Sequence, residues 1–436
     1  MGFITSLGDT LENLITGLGI AGRDKTRGRA WFVSEMSRAQ CDAAYRGDWL
    51  ARKIVDIPAL DSTREWRGWR AEKDDIEALE REEKRLRVKA RTHEAMRLAR
   101  LDGGSVIFIG VTGDTELMEP LDPERLGLGS LGYLHVANRW DVGHGGLIRD
   151  VTSPWYGEPE YWSIIMDNGA TVQVHPSRVL IFRGNERPDI WQSGHPWGDS
   201  VLQATGDAIK DANGAAQTIG SILAEAIVDV INVPGLGNQL STAEGTARLQ
   251  KRFGLMRQMK GAMGVALLDG EETYTRNQVS FAQLPEIISR YDGRAAAAAD
   301  IPATRLLGQS PGGLNATGDS DLRNYYDRIS SEQELHLSPQ MERLDEVLIR
   351  SALGDRDESI WWEWSPLWQM DEKEQAGVAK TMAEAARIYA DGGLVPMFAL
   401  EKAVTSQMVE SGVWPGLEAA LEEAPAEPPV TDPDNA

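Results

Sequence analysis

A chain of 436 residues with 42% hydrophobic and 26% charged residues can fill about two to three packed domains, which excludes wholesale disorder. Lysine and arginine number 45 against 67 acids, and the formal net charge of −22 is the wrong sign for gripping nucleic acid by counterion release. The single cysteine, Cys41, excludes an intramolecular disulfide and a thiolate metal cluster within one chain.

No apolar run reaches the roughly 18–20 residues of a membrane span. The first twenty residues carry acids and glycines and lack a basic start, so they do not read as a signal peptide. Ile4, Leu7, Leu11, Leu14, Ile15 and Leu18 recur at helical spacing, which predicts a short amphipathic helix docking on its own protein or on a neighbour. Ala43–Ala59 places Tyr45, Trp49, Ile54 and Ile57 on roughly one helix face, with Pro58 expected to end it. Glu72–Leu101 is helical and densely charged, which reads as a solvated face.

At Gly103-Gly104 the period changes. Ser105–Val111 is β-branched and aromatic, as in a buried strand, and further strands are expected near Gly132–Val136, Glu160–Ile165, Thr171–Val174 and Arg178–Phe182. Asp167-Asn168-Gly169 signals a hairpin turn, because its residues accept positive φ. A second helical block opens near Trp197. From Val201 to Val230 small and aliphatic residues recur every three or four, which predicts one helix of about 30 residues and about 45 Å.

Thr242–Gly261 reads as a basic helix with Arg248, Lys251, Arg252, Arg257 and Lys260. Val265–Gly270 and Tyr274–Phe281 read as short β segments, and Pro285–Asp300 as a helix. A Gly/Pro/Asn/Thr loop, Pro302–Gly318, leads into a long helix, Asp319–Leu353, kinked at Pro339 and closed by Gly354. Gln369–Gln407 gives two shorter helices broken at Asp391-Gly392-Gly393, and the acidic, proline-rich Leu421–Ala436 is expected to be disordered. The fold class is α+β, predominantly helical.

Several catalytic patterns match by letter and fail by context. Gly127, Gly129 and Gly132 spell G-x-G-x-x-G, but a strand rather than a helix follows them. Ser310 lies in G-x-S-x-G, yet Pro311 and two glycines oppose the helix that a nucleophile elbow needs. The six histidines lack zinc spacing. His175 and His336 each open an H-x-S pair, the pattern with which two-histidine phosphoesterases hold phosphate, although His336 falls inside a helix. Asp319 and Asp321 read as helix-start caps rather than metal ligands. Trp361, Trp362, Trp364 and Trp368 read as packing between neighbouring subunits. No cofactor is expected, and nothing among these patterns marks an enzyme.

Ile301–Tyr326, IPATRLLGQSPGGLNATGDSDLRNYY, resembles the signature stretch of a group of tailed-phage portal proteins. Those families show an I-P-x-x-x-L-x-G turn, an S-P-x-G-x-N-A-T-G loop and a helix with a Q-x-x-x-x-P-x-x-x-x-L pattern, here Gln333, Pro339 and Leu344. Lys53–Pro58, Thr63–Trp66, His175–Ile181 and Trp197–Val201 are similar to earlier signposts of the group, so the resemblance covers residues 30–355.

The resemblance implies a homo-oligomeric ring, usually of twelve subunits, at one capsid vertex in the virion, assembled in the host cytoplasm. Its partners would be the major capsid protein, the terminase large subunit, a head–tail adaptor and double-stranded DNA passing without sequence readout; no membrane is involved. Carried over in order, residues 1–30 form an N-terminal arm and 31–240 the wing. Residues 241–262 and 284–300 would be stem helices around a clip at 263–283, followed by a channel loop at 301–318. Residues 319–365 complete the wing, 366–420 form the crown, and 421–436 are the tail.

In the channel loop, Gln309, Ser310, Asn315 and Thr317 are polar and uncharged, suited to touching phosphates briefly. Lys251, Arg252, Arg257 and Lys260 would pair with acids across subunits or form a basic girdle near DNA. Twelve copies of −22 give a formal −264, a wall from which DNA slides off rather than sticks. Head–tail adaptors, the other virion rings, are usually much shorter and lack the long wing helix. The enzyme alternative is a two-histidine phosphoesterase using His175 and His336.

Overall fold

In the computed structural model the described residues are 35–165, 169–188, 194, 196–225, 227–232, 236–263, 273–278, 281–308, 318–368, 372–393, 395–410 and 420–421. The N-terminal arm, the 309–317 loop, the 264–272 segment and the 422–436 tail lie outside them. The chain divides into two compact units, Met1–Glu363 and Trp364–Ala436.

The first unit opens with α1 (Arg38–Gly47), whose start is closed by a reciprocal capping box between Ser37 and Gln40. Asp48 then takes an extended conformation, and its carboxylate accepts from the backbone N–H groups of Leu50 and Ala51. A cap of that kind starts a new helix, so the single helix expected over Ala43–Ala59 is two. The second, α2 (Trp49–Arg64), runs through Pro58 instead of ending there. Strand β1 (Arg67–Arg70) follows, and the expected charged helix divides into α3 (Lys73–Leu86) and α4 (Val88–Asp102) at Arg87, whose φ of 56° is left-handed.

Strand β2 (Gly104–Val111) is buried along almost its whole length. It lies between β3 (Leu131–Asn138) and, later in the chain, β7 (Val179–Arg183), antiparallel to both; Ile107 faces Val136 on one side and Leu180 on the other. Strands β4 (Val142–His144), β5 (Trp162–Ile165) and β6 (Thr171–Val174) make a second sheet, with Ile165 opposite Thr171 across the predicted hairpin. Val106, Phe108, Trp162, Val174, Ile181 and Trp197 share one core. Gly127–Ser130 is a loop leading into β3, which takes up Gly132, so a strand follows the glycines as their context required.

The Trp197-Gly198 signpost has a steric reason. Gly184 N–H and Gly198 N–H both donate to Gly103 O, at 3.0 Å each. A Cβ on Gly198 would collide with Asn185 O, and one on Gly104 with the Trp197 ring. Three stretches of backbone meet here at a separation that only glycine permits.

The long helix is shorter than its period suggested. Helix α5 (Val201–Glu225) ends before β8 (Ile227–Asn232), because Ile227-Val228-Asp229-Val230-Ile231 is β-branched and finds a partner. After α6 (Leu236–Leu240) and α7 (Ala243–Met263), that partner is β9 (Thr273–Gln278), with Ile227 opposite Gln278 and Asn232 opposite Thr273. Helix α8 (Leu284–Ala299) returns along α5, with Ala208, Ala212, Ala295, Ala296 and Ala299 buried. Small side chains let the two backbones approach closely.

Next come α9 (Ala303–Leu307), α10 (Asp319–Glu332) and α11 (Ser338–Leu353). The predicted kink is a π-helical segment, Gln333–Leu337, immediately before Pro339. Pro339 lacks an N–H, and Ser338 Oγ closes the widened turn on Gln333 O at 3.1 Å. Gly318, at φ 73°, caps α10 with no side-chain bond, so Asp319 and Asp321 are first-turn acids rather than caps. Strand β10 (Trp361–Trp364) pairs with β1. In the second unit, α12 (Glu372–Asp391) and α13 (Met397–Glu410) flank the expected break.

Candidate functional site

The residues on either side of 309–317 are tied to one helix. Asp61 is fully buried on α2 and accepts from Arg305 Nη2 at 2.9 Å, Arg305 Nε at 3.2 Å and the Tyr325 hydroxyl at 3.0 Å. Arg305 lies before the loop and Tyr325 after it, so one carboxylate joins both flanks. Its hydrogen bond holds the Arg305 guanidinium above its ordinary pKa. Burial, reinforced by Asp61, pushes the Tyr325 phenol well up, so it stays protonated and donates to Asp61.

Two further bonds complete the base. Lys53 Nζ donates to Leu306 O at 2.7 Å while lying over the Trp49 ring, 5.3 Å from its centre. Gln333, 1% exposed, donates from Nε2 to Ser62 O at 2.8 Å. The I-P-x-x-x-L-x-G pattern is thereby explained: Ile301 and Leu306 are buried, Pro302 caps α9, and Gly308 at φ 69° turns the chain out. Gln309, Ser310, Asn315 and Thr317 lie outside the described residues; the structure places the two ends from which they extend.

The basic residues are arranged differently. Lys251 is exposed and Arg252 half-buried on α7, and neither belongs to the loop base. Arg257 and Lys260 continue the same helix, with side chains outside the described residues. The two H-x-S pairs are each engaged locally. His175 Nδ1 accepts from Ser177 N at 3.2 Å and lies 2.9 Å from Ser177 Oγ, which accepts from Leu121 N at 2.7 Å. His175 packs edge-on against Trp155, and burial, Arg178 and Arg343 hold its pKa below the ordinary value. His336 is exposed in the π segment, and the buried Ser338 hydroxyl bonds to Gln333 O.

Sequence reasoning passed over the buried charges. Asp61 stands seven residues after Ile54 and four after Ile57, a carboxylate on an apolar helix face, and that is the signal that could have found it. Arg67, with no side-chain exposure, bonds to Glu83 Oε1 at 2.9 and 2.7 Å and to both oxygens of Asp345 at 2.6 and 2.7 Å. Against the pull of burial, these carboxylates hold its guanidinium above the ordinary value. Trp69 and Trp362 lie 4.5 and 4.9 Å from that guanidinium, and Trp362 Nε1 donates to Asp345 at 2.6 Å. Trp362 therefore packs within its own chain, not between subunits as its cluster suggested.

Among the described residues no group of acids, histidines or cysteines is placed to hold a metal, and no helix is long and apolar enough to cross a membrane. The family model described as phage portal protein matches residues 39–388. The chain belongs to the phage portal protein family. A relative from Caulobacter sp. (strain RHG1), called "Anti-CBASS protein Acb1", is 47% identical over 430 residues, covering 95% of this chain and 68% of its own length. One from Sphingomonas paeninsulae with the same name is 40% identical, covering 98% and 69%. Among solved structures, a chain from the neck of a native GTA particle computed with C12 symmetry aligns with a TM-score of 0.52 at 15% identity. That alignment covers 88% of this portal protein and 96% of the neck chain, and it shows a shared fold.

Proposed function

We propose that this portal protein is one subunit of a twelve-membered ring at a single capsid vertex of a virion, through which terminase drives double-stranded DNA inward and from which the DNA later leaves. The observation that carries this reading is the family match across residues 39–388. The twelve-fold symmetry of the GTA neck supports the subunit number. The anchored base supports the channel loop: Asp61, Lys53 and Gln333 hold its flanks firmly while Gln309, Ser310, Asn315 and Thr317 offer uncharged contacts to passing phosphates.

The stem is better assigned to Val201–Glu225 with Leu284–Ala299 than to the pair 241–262 and 284–300. Helix α8 lies along α5, Arg294 pairs with Asp211 at 3.3 Å, and β8 and β9 join where the two helices end. Residues 227–283 then form the clip. Lys251, Arg252, Arg257 and Lys260 belong to it and would pair with acids of the neighbouring subunit or form a basic girdle near the DNA. The major capsid protein would meet the wing.

Purified protein should give rings of about a dozen copies in native mass measurement and negative-stain images. Deleting Leu307–Gly318 should leave those rings intact and stop productive packaging; normal DNA filling by the deletion variant would remove the channel assignment.

The anti-CBASS name carried by the two relatives supports a second reading, and the H-x-S pairs of His175 and His336 would make that activity a two-histidine phosphoesterase. Both serines of the H-x-S pairs are already hydrogen-bonded within the chain, which weighs against it. Cleavage of cyclic or linear oligonucleotides, abolished by His336→Ala, would establish it; no cleavage by the parent protein, or cleavage retained in the variant, would remove it.

A further inference from the structure

The end of α2, β1 and the turn between α3 and α4 enclose a groove of about 800 Å³. Leu60, Trp66 and Trp69 give it an apolar floor, and Leu60 is 48% exposed there. Trp69 is itself only 4% exposed, its ring is held under Arg67, and its Nε1–H is buried without an acceptor.

Five cationic residues line the same groove: Arg64, Arg67, Lys84, Arg87 and Lys89. Lys84 and Arg87 are exposed, and neither side chain has a partner among the described residues. Most arginines elsewhere in this chain of net charge −22 are paired. Arg87 holds a φ of 56°, a backbone conformation in which glycine would be unstrained. The arginine side chain is present there despite the strain.

We propose that this groove is a docking site for an acidic peptide segment of a partner protein. One apolar side chain of the segment sits on Leu60 and Trp66, and flanking carboxylates pair with Lys84 and Arg87. Arg64, Arg67, Lys84, Arg87 and Lys89 outnumber Glu80 and Glu83 around the groove, which suits carboxylates, and the apolar floor takes a side chain, which favours a peptide over nucleic acid. The apolar floor is more than a bare anion would use.

The test uses the full chain and fluorescein-labelled peptides with one Leu, Phe or Trp followed by Pro between pairs of glutamates, titrated by anisotropy. Saturable, salt-sensitive binding is expected, weakened at least tenfold by Lys84→Glu and by Arg87→Glu. Arg87→Gly separates binding from folding: its melting temperature should rise while its binding falls. No saturable binding by any of the peptides, or binding unchanged in the charge-reversal variants, overturns the proposal. Equal binding of an oligothymidylate that the same variants lose would give the groove to nucleic acid. Dissociation of the assembled protein by Arg87→Glu would give it to a second copy, and either result overturns a separate acidic partner.

Discussion

Arg100 donates from Nη2 to Ile54 O at 2.9 Å, the carbonyl that Pro58, four residues later, cannot reach with an N–H of its own. Its Nε donates to Val55 O at 3.1 Å, serving the next carbonyl along the disturbed turn. A proline in mid-helix removes one bond and pushes the preceding turn outward. Here a buried arginine from α4 fills the gap, and α2 continues for six more residues to carry Asp61 and Ser62 to the loop base.

Arg100→Leu should therefore cost about 2–4 kcal/mol, because two buried carbonyls lose their donor. Adding Pro58→Ala should recover about 1 kcal/mol, since the new amide N–H reaches Ile54 O. Urea denaturation of the two single variants and the double variant measures this coupling, and strict additivity would show that the arginine does not act through the proline.

Asp345→Ala should be among the most destabilising single changes, about 3–5 kcal/mol, since it leaves Arg67 buried beside only one carboxylate. Trp362→Phe removes one hydrogen bond to Asp345 but retains a ring over Arg67, and should cost about 1 kcal/mol. Equal losses in the two variants would contradict the central place given to the Arg67–Asp345 pair.

Asp61→Ala should loosen both flanks of the loop at once by stranding Arg305 and Tyr325, at a cost of about 2–4 kcal/mol. Limited proteolysis between residues 309 and 317 should quicken in this variant at a temperature where the rest of the chain stays folded. An unchanged cleavage rate would mean that the carboxylate does not govern the loop.

Stability should also fall as the pH drops below the ordinary histidine value of 6.5. Burial, Arg178 and Arg343 depress the folded-state pKa of His175, so the unfolded chain takes up a proton there that the folded chain refuses. His175→Asn keeps an acceptor at the same cap without titrating. Between pH 7.5 and 5.5 the parent protein should lose more melting temperature than this variant; equal losses would remove His175 as the cause.

How far the chain was legible depended on the range of the interactions involved. The strand Ser105–Val111, the hairpin around Gly169 and the break near Gly392 were readable because neighbouring residues decide them through β-branching and turn chemistry. The portal family was readable because Ile301–Tyr326 and its signposts are short, specific strings. Pro58 misled because its compensation comes from Arg100, 42 residues away, and Val201–Val230 misled because β8 takes its partner from residues 273–278. The single-residue breaks at Asp48 and Arg87 depend on one side chain or one φ angle, which helical periodicity averages away.

The same division holds for the candidate site. Composition, acidity and local motif were enough to determine an acidic, helix-rich portal subunit with a polar, glycine-rich loop. That Asp61, Arg305 and Tyr325 meet, that Lys53 and Gln333 reach carbonyls on other elements, and that α8 lies along α5 were decided only by the tertiary structure. The physical reason is that a buried charge is tolerated only where partners from distant elements converge on it, and sequence spacing carries no record of which elements converge.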